Sequence, residues 1–204
     1  MEDRRRPGRP AADDETIDAD HVLSSALAVF AVQGYDAVSL RRLSAELGMG
    51  HTFLSDRFGY KEKLWQAAVE HAVSKSGPPV VEALRADAPD DLTRLVGAVR
   101  AMHRTAFDEA GLAALIDQES RQDTERLAYI YDLIRPVNDE LRAIFERVVA
   151  TGECRPMPWY MFYFLVTAPT SLYVQPPLAA LLGRPGDAED HELLSELVLG
   201  GLLA

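Results

Sequence analysis

The sequence predicts an all-α fold. Apolar residues recur every three or four positions along most of the chain, and glycine or proline residues separate these periodic segments. No segment alternates apolar and polar residues convincingly, as a half-buried strand would. The periodic segments divide into three short helices near the N-terminus and a longer series behind them, which predicts two helical domains.

The composition fits a folded protein without a membrane span. Hydrophobic residues make up 48% of the chain, which is enough to bury a core and excludes global disorder. Apolar runs stay shorter than the about 18 residues that a membrane helix needs. Acidic residues, not an apolar stretch, follow the basic N-terminus, so a secretory signal peptide is not expected. The single cysteine, Cys154, excludes an internal disulfide and favours a reducing, cytoplasmic location.

Residues 1–15 form a basic arm that we expect to be disordered, because charge, proline and glycine dominate it. The run from Arg4 to Pro10 is similar to the core of an AT-hook, in which arginine enters a narrow A·T minor groove. An unspecific basic tail that adds electrostatic affinity for DNA is the alternative interpretation.

The first helix has two candidate caps, Thr16 and Asp18, and an apolar face over residues 22–30. Gly34 ends this helix, because glycine readily adopts the left-handed conformation of a helix stop. Ser39 is then a suitable N-cap for a second helix, since its hydroxyl can accept a hydrogen bond from a free backbone amide.

The second and third helices predict a helix-turn-helix between Ser39 and Phe58. Leucines mark one side of the second helix up to Leu47, the segment Gly48-Met49-Gly50 makes the turn, and the third helix runs from His51. The net charge is −11, but residues 39–63 contain five basic and three acidic residues. Screening confines fields to about 10 Å, so this segment can contact the phosphates of double-stranded DNA although the whole chain is acidic.

The remainder predicts a larger helical domain over residues 61–204, joined to residues 16–60 by a fourth helix that runs from Lys61 to about Lys75. Gly77, Pro78 and Pro79 predict a break after it. Further helices are predicted over residues 92–107, 112–116, 127–148 with a kink at Pro136, 159–173 and 193–203.

Residues 22–64 read VLSSALAVFAVQGYDAVSLRRLSAELGMGHTFLSDRFGYKEKL, which resembles the tetracycline-repressor (TetR) family of transcriptional regulators. The shared positions follow one another without gaps: Phe30, Gly34, Tyr35, Ser39, Leu40, Arg41, Leu43, Ala45, Gly48, Met49, Leu54, Phe58, Lys61, Glu62 and Leu64. The resemblance implies a three-helix DNA-binding domain followed by a ligand-binding and dimerisation domain. It also implies a repressor whose two DNA-binding heads change spacing, and leave a palindromic operator, when a small molecule binds.

The resemblance and the local charge give a set of candidate DNA-binding residues: Ser39, Arg41, Arg42, Gly50, His51, Thr52, Phe53, Ser55, Arg57 and Lys61. The serine cap and the four cations are expected at phosphates, with solvated surface charge as the alternative for each cation. His51 and Thr52 are the best candidates for contacts with base edges, although they could equally be turn residues.

Three residues of the third helix bear on base specificity. The family usually has a small residue where Phe53 stands and tyrosine where Ser55 stands. Phe53 therefore either contacts a thymine methyl group or folds back into the domain. Asp56 is unfavourable beside phosphate unless it accepts a hydrogen bond from a cytosine amino group or pairs with Arg57.

Apolar and polarisable residues of the second domain predict a pocket for a small apolar or aromatic effector: Met102, His103, Phe107, Ile116, Tyr131, Trp159, Phe162 and Tyr163. Core packing is the alternative for each of them, and His103 could be a hydrogen-bonded core histidine.

The two C-terminal helices predict a homodimer. The segments 159–173 and 193–203 are apolar over more of their circumference than a surface helix should be. A four-helix, two-fold interface with a second copy would cover them, and packing within one monomer is the alternative.

No enzyme activity, cofactor or metal is expected. Ser171 and the histidines fit no nucleophile motif, and no pair of histidines has metal-ligand spacing. Cys154 lies in a loop without a sign of thiolate activation. The competing function is a helical adaptor whose N-terminal bundle binds protein without sequence-specific DNA binding.

Overall fold

The computed structural model describes residues 19–121 and 124–204, and helices dominate this part of the chain. The predicted arm over residues 1–15 and the proposed caps Thr16 and Asp18 lie outside the described residues. The helices are α1 (Ala19–Gln33), α2 (Leu40–Glu46), α3 (Phe53–Phe58), α4 (Lys61–Arg85), α5 (Asp91–Asp108), α6 (Ala110–Glu119), α7 (Glu125–Ala150), α8 (Trp159–Thr167), α9 (Ser171–Val174), α10 (Pro176–Leu181) and α11 (His191–Leu202). The all-α prediction is confirmed, and no helix among these is both long and apolar enough to cross a bilayer.

The caps of the N-terminal helices follow the sequence. Gly34 has φ 77° and donates its amide to the carbonyl of Phe30 at 2.9 Å, so it ends α1 as predicted. Ser39 accepts a hydrogen bond from the amide of Arg42 at 3.3 Å, which makes it the predicted N-cap of α2. Leu43 and Leu54 are completely buried between these helices and α4.

The third helix begins at Phe53, two residues later than predicted. The amide of Phe53 bonds to the carbonyl of Gly50 at 3.0 Å, so residues 50–53 close a tight turn in place of a first α-helical turn. The side chain of Thr52 makes no capping hydrogen bond. His51 and Thr52 consequently lie exposed in the turn that leads into α3.

The predicted break at residues 77–79 is wrong, because α4 continues through Pro78 and Pro79 to Arg85. Proline cannot donate to the carbonyl four residues earlier, so Ser74 and Lys75 lose their helical partners. All four of these residues are solvent-exposed, and water can bond to the released carbonyls. Beyond them, Val80 and Leu84 are buried in the second core, and this packing compensates for the two missing hydrogen bonds.

The C-terminal helices differ from the prediction in detail. Pro136 lies inside the continuous helix α7. The predicted helix 159–173 is divided into α8, a 3₁₀ turn over Ala168–Thr170 and α9. Helix α10 was not predicted from the sequence, although Pro176 occupies its first position, where the missing amide costs nothing.

Two hydrophobic cores share the longest helices. The first lies around α1, α2, α3 and the N-terminal half of α4, and it also takes in Leu115 of α6 and Ile130 of α7. The second joins the end of α4 to α5, α7, α8 and α11, with Phe145 and Phe162 stacked at a ring separation of 4.3 Å. Because α4, α6 and α7 supply the residues beneath α1, the N-terminal helices rest directly on the second domain.

Candidate nucleic-acid interface and effector cavity

Apolar residues on the buried side of the helix-turn-helix pack against the first core, and polar residues lie on its exposed side. Leu54 fixes α3 against the core, and its amide donates to the buried hydroxyl of Ser44 at 3.4 Å. Among the predicted DNA-binding residues, the exposed ones are Ser39, Arg41, Arg42, Gly50, His51, Thr52 and Arg57. The structure therefore brings most of the predicted set to the surface around α2 and α3.

Phe53 and Ser55 make contacts within the domain. Phe53 is half-buried and packs against the first core, which favours the alternative that it folds back. The hydroxyl of Ser55 donates to the carbonyl of Thr52 at 2.7 Å and so supports the start of α3. Asp56 is exposed on the same helix.

The candidate cations differ in how far the protein itself engages them. Arg42 pairs with Glu46 at 2.7 Å on the surface of α2. The ammonium group of Lys61 donates to the carbonyl of Tyr35 at 2.9 Å and lies 4.3 Å from the centre of the Tyr35 ring. Arg41 and Arg57 form no ion pair with another described residue. These two arginines are the better placed to bind phosphate.

A polar junction connects the helix-turn-helix to the second domain through Tyr35. The guanidinium of Arg126, at the start of α7, lies 4.3 Å from the ring centre of Tyr35, on which Lys61 also packs. Arg126 donates to both carboxylate oxygens of Glu119 at 3.1 Å, and Glu119 is buried at the end of α6. The hydroxyl of Thr124 also donates to this carboxylate at 3.2 Å.

Helix α6 packs closely on α1. A Cβ atom built on Gly111 would lie 3.1 Å from the side chain of Leu27. The two helices are therefore so close that a larger residue at position 111 would push against Leu27. At the other end of α6, the side chain of Gln118 lies against Gly34. Movement of α6 would therefore be transmitted to α1 by direct contact.

A cavity of about 740 Å³ lies among α4, α5, α6, α7 and α8 in the second domain. This volume suits a drug-sized ligand. Six of the eight predicted pocket residues line it: Met102, His103, Ile116, Tyr131, Trp159 and Tyr163. Phe107 and Phe162 do not: Phe107 stacks on His191 at 5.1 Å, and Phe162 is buried in the second core.

His103 is a hydrogen-bonded core histidine that also borders the cavity. Its Nε2 lies 2.9 Å from the carbonyl of Val166 and its Nδ1 lies 2.9 Å from the hydroxyl of Ser195. Burial lowers the pKa of His103, and the neighbouring His191 lowers it further. The side chain is therefore neutral at physiological pH and has no ring nitrogen left for a ligand.

The cavity wall carries neutral polar groups that the sequence analysis did not single out. The most distinctive is Ser76 on α4, whose hydroxyl oxygen is buried and has no hydrogen-bond partner in the described part of the chain. Asn138 lines the wall beside Tyr163, and burial raises the pKa of that phenol. Ser76 precedes the Gly77-Pro78-Pro79 triplet that predicted a break, and the predicted fourth helix ends before it, at about Lys75.

Cys154 has a structural position. It is buried, forms an isolated antiparallel bridge with Leu203, and its thiol lies 3.4 Å from the carbonyl of Leu202. Burial raises the pKa of this thiol, which disfavours the reactive thiolate. Within the described residues, no cluster of three or more His, Cys, Asp or Glu side chains could hold a metal ion.

An apolar surface covers the outer sides of α8 and α11, which pack against each other. Its members, called here the C-terminal apolar face, are Tyr160, Met161, Phe164, Leu165, Leu193 and Leu197. The opposite sides of both helices, including Val166 and Leu199, are buried in the second core. Such an extended exposed apolar surface is typical of a protein interface.

Comparisons with known proteins agree with this geometry. Residues 22–68 match the family described as bacterial regulatory proteins, tetR family. A curated relative, the uncharacterized HTH-type transcriptional regulator YezE of Bacillus subtilis (strain 168), is 32% identical over 126 residues. The matched segment is 62% of this chain and spans 59% of that relative.

Solved structures of similar fold extend the comparison over nearly the whole chain. The ketosteroid transcriptional regulator KstR2 of Mycobacterium tuberculosis superposes with a TM-score of 0.70 at 19% identity, covering 90% of this chain and 94% of that one. AibR, solved in complex with isovaleryl coenzyme A and operator DNA, has a TM-score of 0.71 at 17% identity, covering 89% and 96%. At these identities the likeness shows a shared fold.

Proposed function

We propose that this chain, which carries the DNA-binding domain and the fold of the TetR family of bacterial regulators, is a dimeric transcriptional repressor that leaves a palindromic operator when a small molecule fills its cavity. The observation that carries the proposal is the match of residues 22–68 to the family, folded as a helix-turn-helix with its polar side exposed. The adaptor alternative has no comparable support, since the curated relative and KstR2 are named as transcriptional regulators and AibR was solved with operator DNA.

In this proposal α3 enters the major groove and the preceding turn meets the base edges. His51 and Thr52 are exposed there and can reach bases. Arg41 and Arg57 bind phosphates on either side, while Lys61 chiefly holds the loop after α1 against α4. Tyr60, an exposed aromatic residue between α3 and α4, is an additional phosphate-contact candidate through its hydroxyl.

The homodimer proposed from the sequence uses the C-terminal apolar face. Two copies of α8 and α11 across a two-fold axis would bury these residues and hold two heads at a fixed separation. A spacing of about 34 Å, one turn of DNA, lets both heads read half-sites of one operator.

The effector proposal rests on the position of α6 between the cavity and the head. Ile116 and Leu112 of α6 line the cavity, and Gly111 of the same helix meets Leu27 of α1. A ligand that displaces α6 would therefore shift the head to which it is packed. AibR was solved with both an acyl-coenzyme A and operator DNA, which supports an effector-binding second domain here as well.

The proposal can be tested by selecting an operator from a pool of random DNA duplexes and measuring its affinity at several salt concentrations. Replacing Arg57 by alanine should weaken binding and lower the slope of log K against log salt by about one unit, as expected for one lost phosphate contact. Arg104→Ala is the matched control, because Arg104 is also exposed but lies on α5, outside the helix-turn-helix. Failure to enrich any sequence, or equal effects of the two substitutions, would contradict DNA recognition by α3.

A further inference from the structure

Exposed aromatic residues from α7 and α8 border the effector cavity. Tyr160 and Phe164 of α8 line the cavity and are 62% and 63% exposed, and Tyr131 of α7 also lines it and is 51% exposed. These three residues are called here the aromatic rim. In a single subunit the rim, and the part of an apolar ligand beside it, stay in contact with water, which lowers the free energy gained by binding.

The aromatic rim is continuous with the C-terminal apolar face, because Tyr160 and Phe164 belong to both. On the same helix, Met161 and Leu165 are exposed next to them, whereas Phe162 points into the second core. Phe164 is three positions after Met161, which on an α-helix is a rotation of about 60° around the axis. Exposed apolar surface therefore runs from the edge of the cavity around α8 onto the surface proposed for the dimer.

This continuity favours a second copy of the chain as the cover of the rim. Packed helices lie about 8–10 Å apart, and the side chains of neighbouring rows interlock. A partner helix placed on Met161 and Leu165, as the proposed dimer requires, would therefore also contact Phe164. Covering Tyr160 and Phe164 removes their apolar surface from water, which stabilises the dimer.

We infer that the partner subunit completes the effector cavity: in the dimer the second copy covers the aromatic rim, and a bound effector contacts both subunits. This inference rests on the proposed dimer. A ligand that the dimer binds more tightly than the monomer must stabilise the dimer by the same factor. With one cavity in each subunit, a preference of about tenfold per cavity lowers the dimer dissociation constant about a hundredfold. The effector then acts at the contact that sets the spacing of the two DNA-binding heads.

Thiol labelling tests whether the rim is covered. Phe164→Cys and, as a second position, Tyr160→Cys place a thiol on the rim, and Val32→Cys is the control on the exposed surface of α1. The native Cys154 is buried and supplies the slow reference rate. The rim thiols should react at least about tenfold more slowly in the dimer than in the dilute monomer, and adding Leu197→Glu should restore the fast rate. Val32→Cys should react equally in all forms.

Binding of an uncharged aromatic probe, N-phenyl-1-naphthylamine, tests whether the cover completes the cavity. Leu197 is not among the described residues that line the cavity, so Leu197→Glu acts on the probe only through loss of the partner. In fluorescence titrations the unmodified dimer should bind the probe at least about tenfold more tightly than Leu197→Glu at a concentration where this variant is monomeric. Saturating probe should move the dissociation of the unmodified dimer to about a hundredfold lower concentration.

The outcomes separate this inference from the proposed function. A dimer whose rim thiols react as fast as those of the monomer, equal probe affinities of the two forms, or no binding of the probe to the dimer would overturn the inference alone. Slow rim thiols in the dilute monomer would show that the same chain covers the rim, which also overturns it. A protein that stays monomeric would refute the proposed dimer and the inference together. These measurements contain no DNA, so failure of operator selection counts only against the proposed function.

Discussion

Leu197 offers the sharpest test of the proposed dimer. It lies on α11 with 68% of its surface exposed, and Leu193 lies one turn earlier on the same side. Its neighbour Val198, by contrast, is half-buried against the second core. A change at Leu197 therefore affects the C-terminal apolar face and leaves the core intact.

The size of the effect follows from the exposed surface. Burying a whole leucine side chain contributes about 1.5–3 kcal/mol, so covering about two-thirds of Leu197 contributes about 1–2 kcal/mol in each subunit. Two subunits contribute about 2–4 kcal/mol, and Leu197→Glu loses this amount in the dimer. The dimer dissociation constant should then rise by about 30- to 1000-fold.

Sedimentation equilibrium over a concentration series measures this constant directly. The unmodified protein should approach twice its 22.5 kDa monomer mass, and the dissociation of Leu197→Glu to its monomer should move to about 30- to 1000-fold higher concentration with unchanged helicity. Val32→Glu is the control, because Val32 is 83% exposed on α1 and far from the proposed interface in the chain. A monomeric unmodified protein at tens of micromolar, or equal effects of both substitutions, would refute the proposed interface.

Two further predictions concern the junction and the buried histidine. Arg126→Met should lower the free energy of unfolding by about 1–3 kcal/mol in urea titrations, because it leaves the buried Glu119 carboxylate without its cation. The control variant Arg121→Met breaks only the exposed ion pair with Asp117. It should lower the free energy of unfolding by less than about 0.5 kcal/mol. Equal losses in the two variants would show that the junction does not stabilise the protein. The lowered pKa of His103 means that the unfolded chain binds a proton more readily, so the stability that His103 contributes is complete above about pH 6.5 and is lost as the pH falls through its folded pKa. The melting temperature should fall between neutral and mildly acidic pH in the unmodified protein and in His21→Asn, and it should fall less in His103→Gln. An equal fall in all three proteins would exclude His103 as the cause.

The helix-turn-helix could be predicted closely because its signals are local. Gly34 and Ser39 act through their own backbone conformation and hydroxyl, so their roles do not depend on distant parts of the chain. The role of Lys61 could not be predicted in this way. Its contact with the carbonyl of Tyr35 joins residues 26 positions apart and exists only once α4 packs beneath the loop after α1.

The second domain shows where sequence patterns fail. Pro78 and Pro79 predict a break by local rules, yet burial of Val80 and Leu84 extends α4 past them. The pocket residues were predicted from their apolar or aromatic chemical type. Residues that line a cavity and residues of a core are of the same type, so the type alone does not separate them. Phe162 and Trp159 are three positions apart in one aromatic helix and both pack against Phe145, yet only Trp159 also borders the cavity.

The two prolines inside α4, Pro78 and Pro79, bear on how an effector could act. Ser76 lies fifteen residues from the start of α4, which corresponds to about 22 Å along the helix from the candidate DNA contacts. The turn that contains Ser76 lacks the two hydrogen bonds that Pro78 and Pro79 cannot donate to the carbonyls of Ser74 and Lys75, so α4 resists bending least at this turn. A ligand shifts an equilibrium only by interacting differently with two states. We expect a ligand in the cavity, which Val73, Gly77 and Val80 of α4 border, to meet this condition, because a bend here changes its contacts with α4 and moves the N-terminal half of α4 that carries the DNA-binding head.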